Sequence, residues 1–65
     1  MQIHLNGEAR EISARTLSAL IAELELTGKR IAVELNGEIA PRSQHERLAL
    51  AAGDRIEIVH AIGGG

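Results

Sequence analysis

Apolar and polar positions alternate from the start of the chain: Ile3 and Leu5 sit between Gln2, His4 and Asn6, the period of a half-buried strand. The chain then reaches Leu5-Asn6-Gly7-Glu8. The same tetrapeptide recurs at Leu35-Asn36-Gly37-Glu38, after a second alternating run in which Ile31, Val33 and Leu35 are separated by Ala32 and Glu34. Asn and Gly both tolerate the positive φ of a two-residue hairpin, so each repeat predicts a tight turn. The first turn returns through Ala9 to Ile12 and completes a hairpin. The second leads to Ile39, Ala40 and Pro41, a short partner, because Pro41 cannot donate to a ladder and marks an edge or the end of pairing.

Between the two hairpins the period lengthens. Leu17, Leu20, Ile21 and Leu24 fall at i, i+3, i+4 and i+7 on one helix face. Thr16 is placed to cap the start, and Gly28 to close the end in the left-handed conformation. The opposite face carries no basic cluster, so the stripe reads as core rather than as a membrane or partner helix. Residues 42–54 have no clear period, although Leu48 and Leu50 are expected to plug the sheet edge, and Gly53-Asp54 signals a turn. Residues 55–62 form the most β-branched stretch, without internal Gly or Pro, and predict the central strand. The order strand, strand, helix, strand, short strand, strand implies an α+β domain. One helix covers one face of the sheet and leaves the other solvated. If Ile56 and Ile58 meet the helix, Val59 and Ala61 look outward beside Ala32 and Glu34, either as ordinary surface or as a docking patch.

Composition narrows what such a domain can do. With 65 residues there is room for a single domain, which buries only ~60% of the surface its unfolded chain exposes, so a deep catalytic cleft is not expected. The core must be aliphatic, because the chain has no aromatic residue, and it must hold without disulfides or a cysteine zinc site, because it has no cysteine. Nucleic acid is a poor partner: the net charge is −2, the seven Lys and Arg are scattered, and no aromatic platform exists for stacking bases. No apolar run approaches the ~20 residues of a membrane span, and no basic-then-apolar leader opens the chain. A cytoplasmic protein without membrane contact is expected.

Candidate chemistry within the domain is sparse. Ser13, Ser18 and Ser43 lie in capping or polar contexts and assemble with no base into a nucleophilic arrangement. His4, His45 and His60 read as solvated or strand-end residues. His4 and His60 would lie side by side if the first and last strands pair, at best an incomplete metal site, so no metal is expected.

The tail is different. Gly63, Gly64 and Gly65 have no side chains and order at the largest entropic cost, so residues 1–62 are expected to form the domain and residues 63–65 a flexible glycine tail. Such a strip is thin enough to thread a channel and deliver a terminal carboxylate to another protein's active site. The Gly65 carboxylate, ionised at neutral pH, could attack the α-phosphorus of ATP and form an acyl-adenylate open to a sulfur, amine or thiol nucleophile. A merely flexible end or an expression remnant is the plain alternative.

Taken together, Met1-Gln2-Ile3-His4-Leu5-Asn6-Gly7-Glu8, the segment from Val33 to Ser43, and Gly53 to Gly65 with its glycine end resemble the ThiS family. These are sulfur carrier proteins of thiamin biosynthesis, with a β-grasp, ubiquitin-like fold. The resemblance covers essentially the whole chain and implies a mixed four- to five-stranded sheet with one helix packed on one face. It implies a carrier and not an enzyme. A ThiF-like adenylating enzyme would use Mg-ATP, not bound by the carrier itself, to activate Gly65. A cysteine desulfurase or other sulfur donor would supply sulfur, and a ThiG-like thiazole synthase would take it from the C-terminal thiocarboxylate. Gly64 fills the penultimate glycine position, and Gly63 departs from the strict two-glycine pattern by lengthening the thin part. Val59, Ala61 and Ile62 would lie on the partner-binding surface. Molybdopterin-type sulfur carriers and ubiquitin-like modifiers also end in Gly-Gly and remain the alternatives.

Overall fold

Both Asn-Gly pairs make the turns their chemistry favours. In the computed structural model, which describes residues 1–61, Asn6 and Gly7 have φ of 50° and 85°, and Asn36 and Gly37 repeat this at 52° and 86°. The first turn joins β1 (Gln2–Leu5) to β2 (Glu8–Glu11), with Leu5 opposite Glu8. The second joins β3 (Ile31–Leu35) to β4 (Glu38–Ile39), with Leu35 opposite Glu38. β4 is only two residues long; Ala40 adds one more bond, its N–H to the Val33 carbonyl at 2.8 Å, before Pro41 ends the pairing.

The last strand, β5 (Arg55–His60), lies at the centre of a five-stranded sheet ordered β2-β1-β5-β3-β4. It runs parallel to β1 and antiparallel to β3, so the sheet is mixed. Parallel pairing corrects one expectation. His4 faces Arg55, while His60 lies five residues further along β5, so the two histidines are held apart and not side by side.

The turn asparagines do more than turn. Asn6 Oδ1 accepts the Ile58 N–H at 2.9 Å, and its Nδ2 donates to the Ile58 carbonyl at 3.3 Å, so the side chain continues the β1 ladder beyond its last residue. Asn36 acts from the other side: its Oδ1 accepts the Arg55 N–H at 2.9 Å and its Nδ2 donates to Asp54 Oδ1 at 3.1 Å. β5 is therefore gripped from both flanks by the two repeats.

The helix α1 (Leu17–Glu23) starts where expected, with Thr16 Oγ1 accepting the Ala19 N–H at 3.1 Å. It ends earlier than the periodicity predicts. Glu25, not Gly28, takes the left-handed position just past the helix, at φ 61°. The Leu26 N–H reaches the Ile21 carbonyl and the Glu25 N–H the Ala22 carbonyl, a Schellman closure that turns Leu24 and Leu26 back against the core. Gly28, at φ 81°, serves a separate turn closed by the Lys29 N–H on the Leu26 carbonyl. The Glu23 carboxylate accepts the N–H groups of Ser13 and Ala14 and so ties the helix to the segment that enters it.

Ile3, Leu17, Leu20 and Ile56 are fully enclosed between helix and sheet, with Ile12, Ile21, Val33 and Ile58 around them. The aperiodic segment contains a single 3₁₀ turn, Arg42–Gln44. Leu50 enters the core, but the strip around it pairs with the start of the helix rather than with a sheet edge: Ala49 bridges Thr16, and the Leu17 N–H donates to the Leu48 carbonyl. His45 is buried there, its Nε2 2.8 Å from the Ala40 carbonyl, which corrects its reading as a solvated residue.

Candidate functional site

The alternation of β5 sorts its residues onto two faces. Ile56 and Ile58 are buried under the helix, while Arg55, Glu57 and Val59 are exposed on the bare face of the sheet, followed by exposed Ala61. The Ala61 N–H donates to the Arg30 carbonyl at 2.9 Å, so β3 holds the chain as far as Ala61. The expected outward placement of Val59 and Ala61 is what the structure has; Ile62, Gly63, Gly64 and Gly65 lie outside the described residues.

Val59 is 59% exposed and stands directly across from exposed Ala32. Beside them Glu34 and Glu57 face each other across β3 and β5, an arrangement of like charges that weakens a sheet. Ile39, 79% exposed, stands opposite Glu34 on the outer edge. Together Ala32, Glu34, Ile39, Pro41, Glu57 and Val59 line a shallow groove, an apolar strip with two carboxylates in it. Sequence reasoning missed Ile39. The signal was available: a two-residue turn puts Leu35 and Glu38 on one face, and hence Glu34 and Ile39 on the other.

The three serines lie apart in the fold, and the bonds given for two of them are made by their backbone. The Ser13 N–H donates to Glu23, the Ser18 N–H donates to the His45 carbonyl at 2.9 Å, and Ser43 lies within the 3₁₀ turn. Among the described residues no three His, Cys, Asp or Glu side chains come together as a metal site, and no helix is long and apolar enough to cross a membrane.

Comparison with known proteins converges on one family. The ThiS family model matches residues 3–65. A thiazole synthase of Paramagnetospirillum magneticum is 46% identical over 66 aligned residues, spanning all of this chain and 20% of the synthase. A thiazole synthase of Magnetococcus marinus is 41% identical with the same coverage. This chain thus spans about a fifth of the length of these two relatives. The sulfur carrier protein ThiS of Bacillus subtilis is 40% identical over 50 residues, 77% of this chain and 76% of that protein. The crystal structure of the thiamine biosynthesis protein ThiS from Geobacter metallireducens superposes with a TM-score of 0.86 at 26% identity, covering both chains fully. Its solution structure gives 0.80. The β-grasp arrangement expected from the sequence is the fold it shares with the Geobacter metallireducens protein.

Proposed function

This chain belongs to the ThiS family, and from that premise we propose that it carries sulfur for thiamin biosynthesis on the carboxyl group of Gly65. A ThiF-like adenylating partner joins that carboxylate to the α-phosphorus of Mg-ATP, with pyrophosphate leaving. A persulfide sulfur, drawn from a cysteine desulfurase or another donor, attacks the activated carbonyl and displaces AMP, and a thiol reductant then cleaves the S–S bond of the acyl disulfide so formed. The resulting thiocarboxylate passes its sulfur to a thiazole synthase. The chain supplies no catalytic group in this sequence of steps; it supplies a carbonyl and the means of presenting it.

One observation carries the reading. The central strand of a sheet gripped on both sides leads, past Ala61, straight into Ile62-Gly63-Gly64-Gly65. A rigid body thus meets a stretch with almost no side chains, and partners can hold the body while they work on the strip. The bare-face strip of Ala32, Ile39, Val59 and Ala61 is the surface by which the adenylating enzyme grips the body. Likeness to two thiazole synthases supports thiazole formation over a molybdopterin-type pathway as the destination of the sulfur.

The absence of cysteine makes the test clean. After incubation with ATP, a matching adenylating enzyme and a sulfur source, a thiol-alkylating reagent is expected to label the peptide ending in Gly65 and no other. Loading that leaves this peptide unlabelled, or label elsewhere in the chain, refutes the proposal. Peptide mapping is needed because oxidation of Met1 nearly matches the mass change of replacing oxygen by sulfur.

A further inference from the structure

β5 runs further than its neighbour on one side. The β1 ladder reaches Ile56, where the Asn6 N–H donates to the Ile56 carbonyl at 2.9 Å, and the Asn6 side chain extends it to Ile58. On the other flank Arg55 and Ala61 are bonded to Asn36 and Arg30. Alternation along a strand then turns the N–H and carbonyl of His60 toward the β1 side, where among the described residues no backbone stands opposite them. A recess opens at this spot, lined by Asn6, Arg10, Glu23, Glu25, Leu26 and His60.

The true edges of the sheet are guarded differently. β2 presents Glu8, Arg10 and Glu11, and β4 is two residues long with Pro41 close behind, both devices that discourage strand addition. The half-edge at His60 is neither cut short nor followed by a proline, although Arg10, Glu23 and Glu25 stand around the recess. It carries a donor and an acceptor that no other described residue takes up, and it lies five residues before Gly65 in a sequence whose last three residues are glycine and offer a partner only backbone.

We infer that this half-edge is a strand-addition site: an extended segment of the adenylating partner enters the recess, pairs with the N–H and carbonyl of His60, and so sets the register in which the glycine strip is read. This deepens the proposed function and rests on it. A glycine strip has no side chains to recognise, so main-chain pairing that begins at His60 supplies both hold and alignment. A second copy of the chain is a poorer occupant, since one free residue pair gives a self-association little length.

His60→Pro tests this directly. It removes one N–H that no described residue accepts, and proline at 60 keeps Val59 in the extended region it already occupies. His60→Ala removes the imidazole and keeps the N–H. The expected result is that H60P is adenylated at least ten-fold more slowly than the wild type, with KM rising, while H60A stays within about two-fold and all three melt alike. Equal loading of H60P and wild type overturns the inference, and so does an H60A defect as deep as that of H60P. Wild-type chain that forms no adenylate at all counts instead against the proposed function. If H60P does not fold, hydrogen exchange at the His60 amide of the wild type decides. Fast exchange in the free chain and protection on adding the adenylating enzyme is expected. Unchanged exchange, or protection that grows with the concentration of the chain alone, overturns the inference.

Discussion

The two halves of β5 obey opposite rules. From Arg55 to Ile58 the strand is held on both flanks, by β1 with the Asn6 side chain and by β3 with the Asn36 side chain, and it plants Ile56 and Ile58 in the core. From Val59 to Ala61 the chain is, among the described residues, held on the β3 side alone and exposes its side chains. No Gly or Pro separates the halves. What changes is how many neighbours the backbone has, and the domain can therefore be stable without the second half contributing much to stability. The first half should respond to mutation as a core, and the second as a surface kept for contact.

The largest effect is expected at Ile56, which is fully enclosed. Ile56→Ala should cost about 2–5 kcal/mol by removing buried methylenes and leaving a cavity. For so small a domain that is much of its total stability, and equilibrium urea unfolding will register it. A cost below about 1 kcal/mol would mean that the core closes around the gap, contrary to the close packing typical of protein interiors.

A smaller loss is expected where the clamp is made of side chains. Asn6→Gly retains ease at positive φ and deletes both bonds to Ile58, for a loss of about 0.5–1.5 kcal/mol. Asn36→Gly should lose less, since its bonds to Arg55 and Asp54 are exposed and water can replace them, whereas those of Asn6 are partly buried. Parallel unfolding curves for the two variants check the ranking, and the reverse order would shift the main clamp to the β3 side.

These asparagines also mark where sequence reading stopped. Their backbone role was legible, because positive φ is a local preference written into the Asn-Gly pair. Their side-chain role was not, because it needs β5 to arrive from 52 residues away in the chain for Asn6 and 19 for Asn36. The same division runs through the molecule. Hydrophobic period gave the strands, the helix stripe and the outward face of Val59 and Ala61. The helix end was misplaced because Glu25 accepts a conformation usually left to glycine, a choice set by the fit of Leu26 against the core. His45 was misread because burial of a polar ring depends on the Ala40 carbonyl awaiting it. Pairing was likewise invisible: the pattern left open whether the first and last strands pair, and it is their parallel course that separates His4 from His60.

The least change in stability and a clear change in contact are expected at Val59. Val59→Thr keeps the branched shape that suits a strand, and at 59% exposure it removes little buried area, so the melting curve should shift by no more than about 0.5 kcal/mol. In the complex the outcome differs. If the adenylating enzyme covers the bare-face strip, the new hydroxyl is taken from water without a partner, at a cost of roughly 1.4 kcal/mol, which is about a ten-fold weaker Kd. Calorimetric titration against the adenylating enzyme reads this directly, and the melting curve supplies the control on the same sample. Tight binding with an unchanged melt would place the grip elsewhere on the body and leave Val59 as ordinary surface. A lowered melt would show that the second half of β5 is bound into the core after all, and the distinction between its halves would fall.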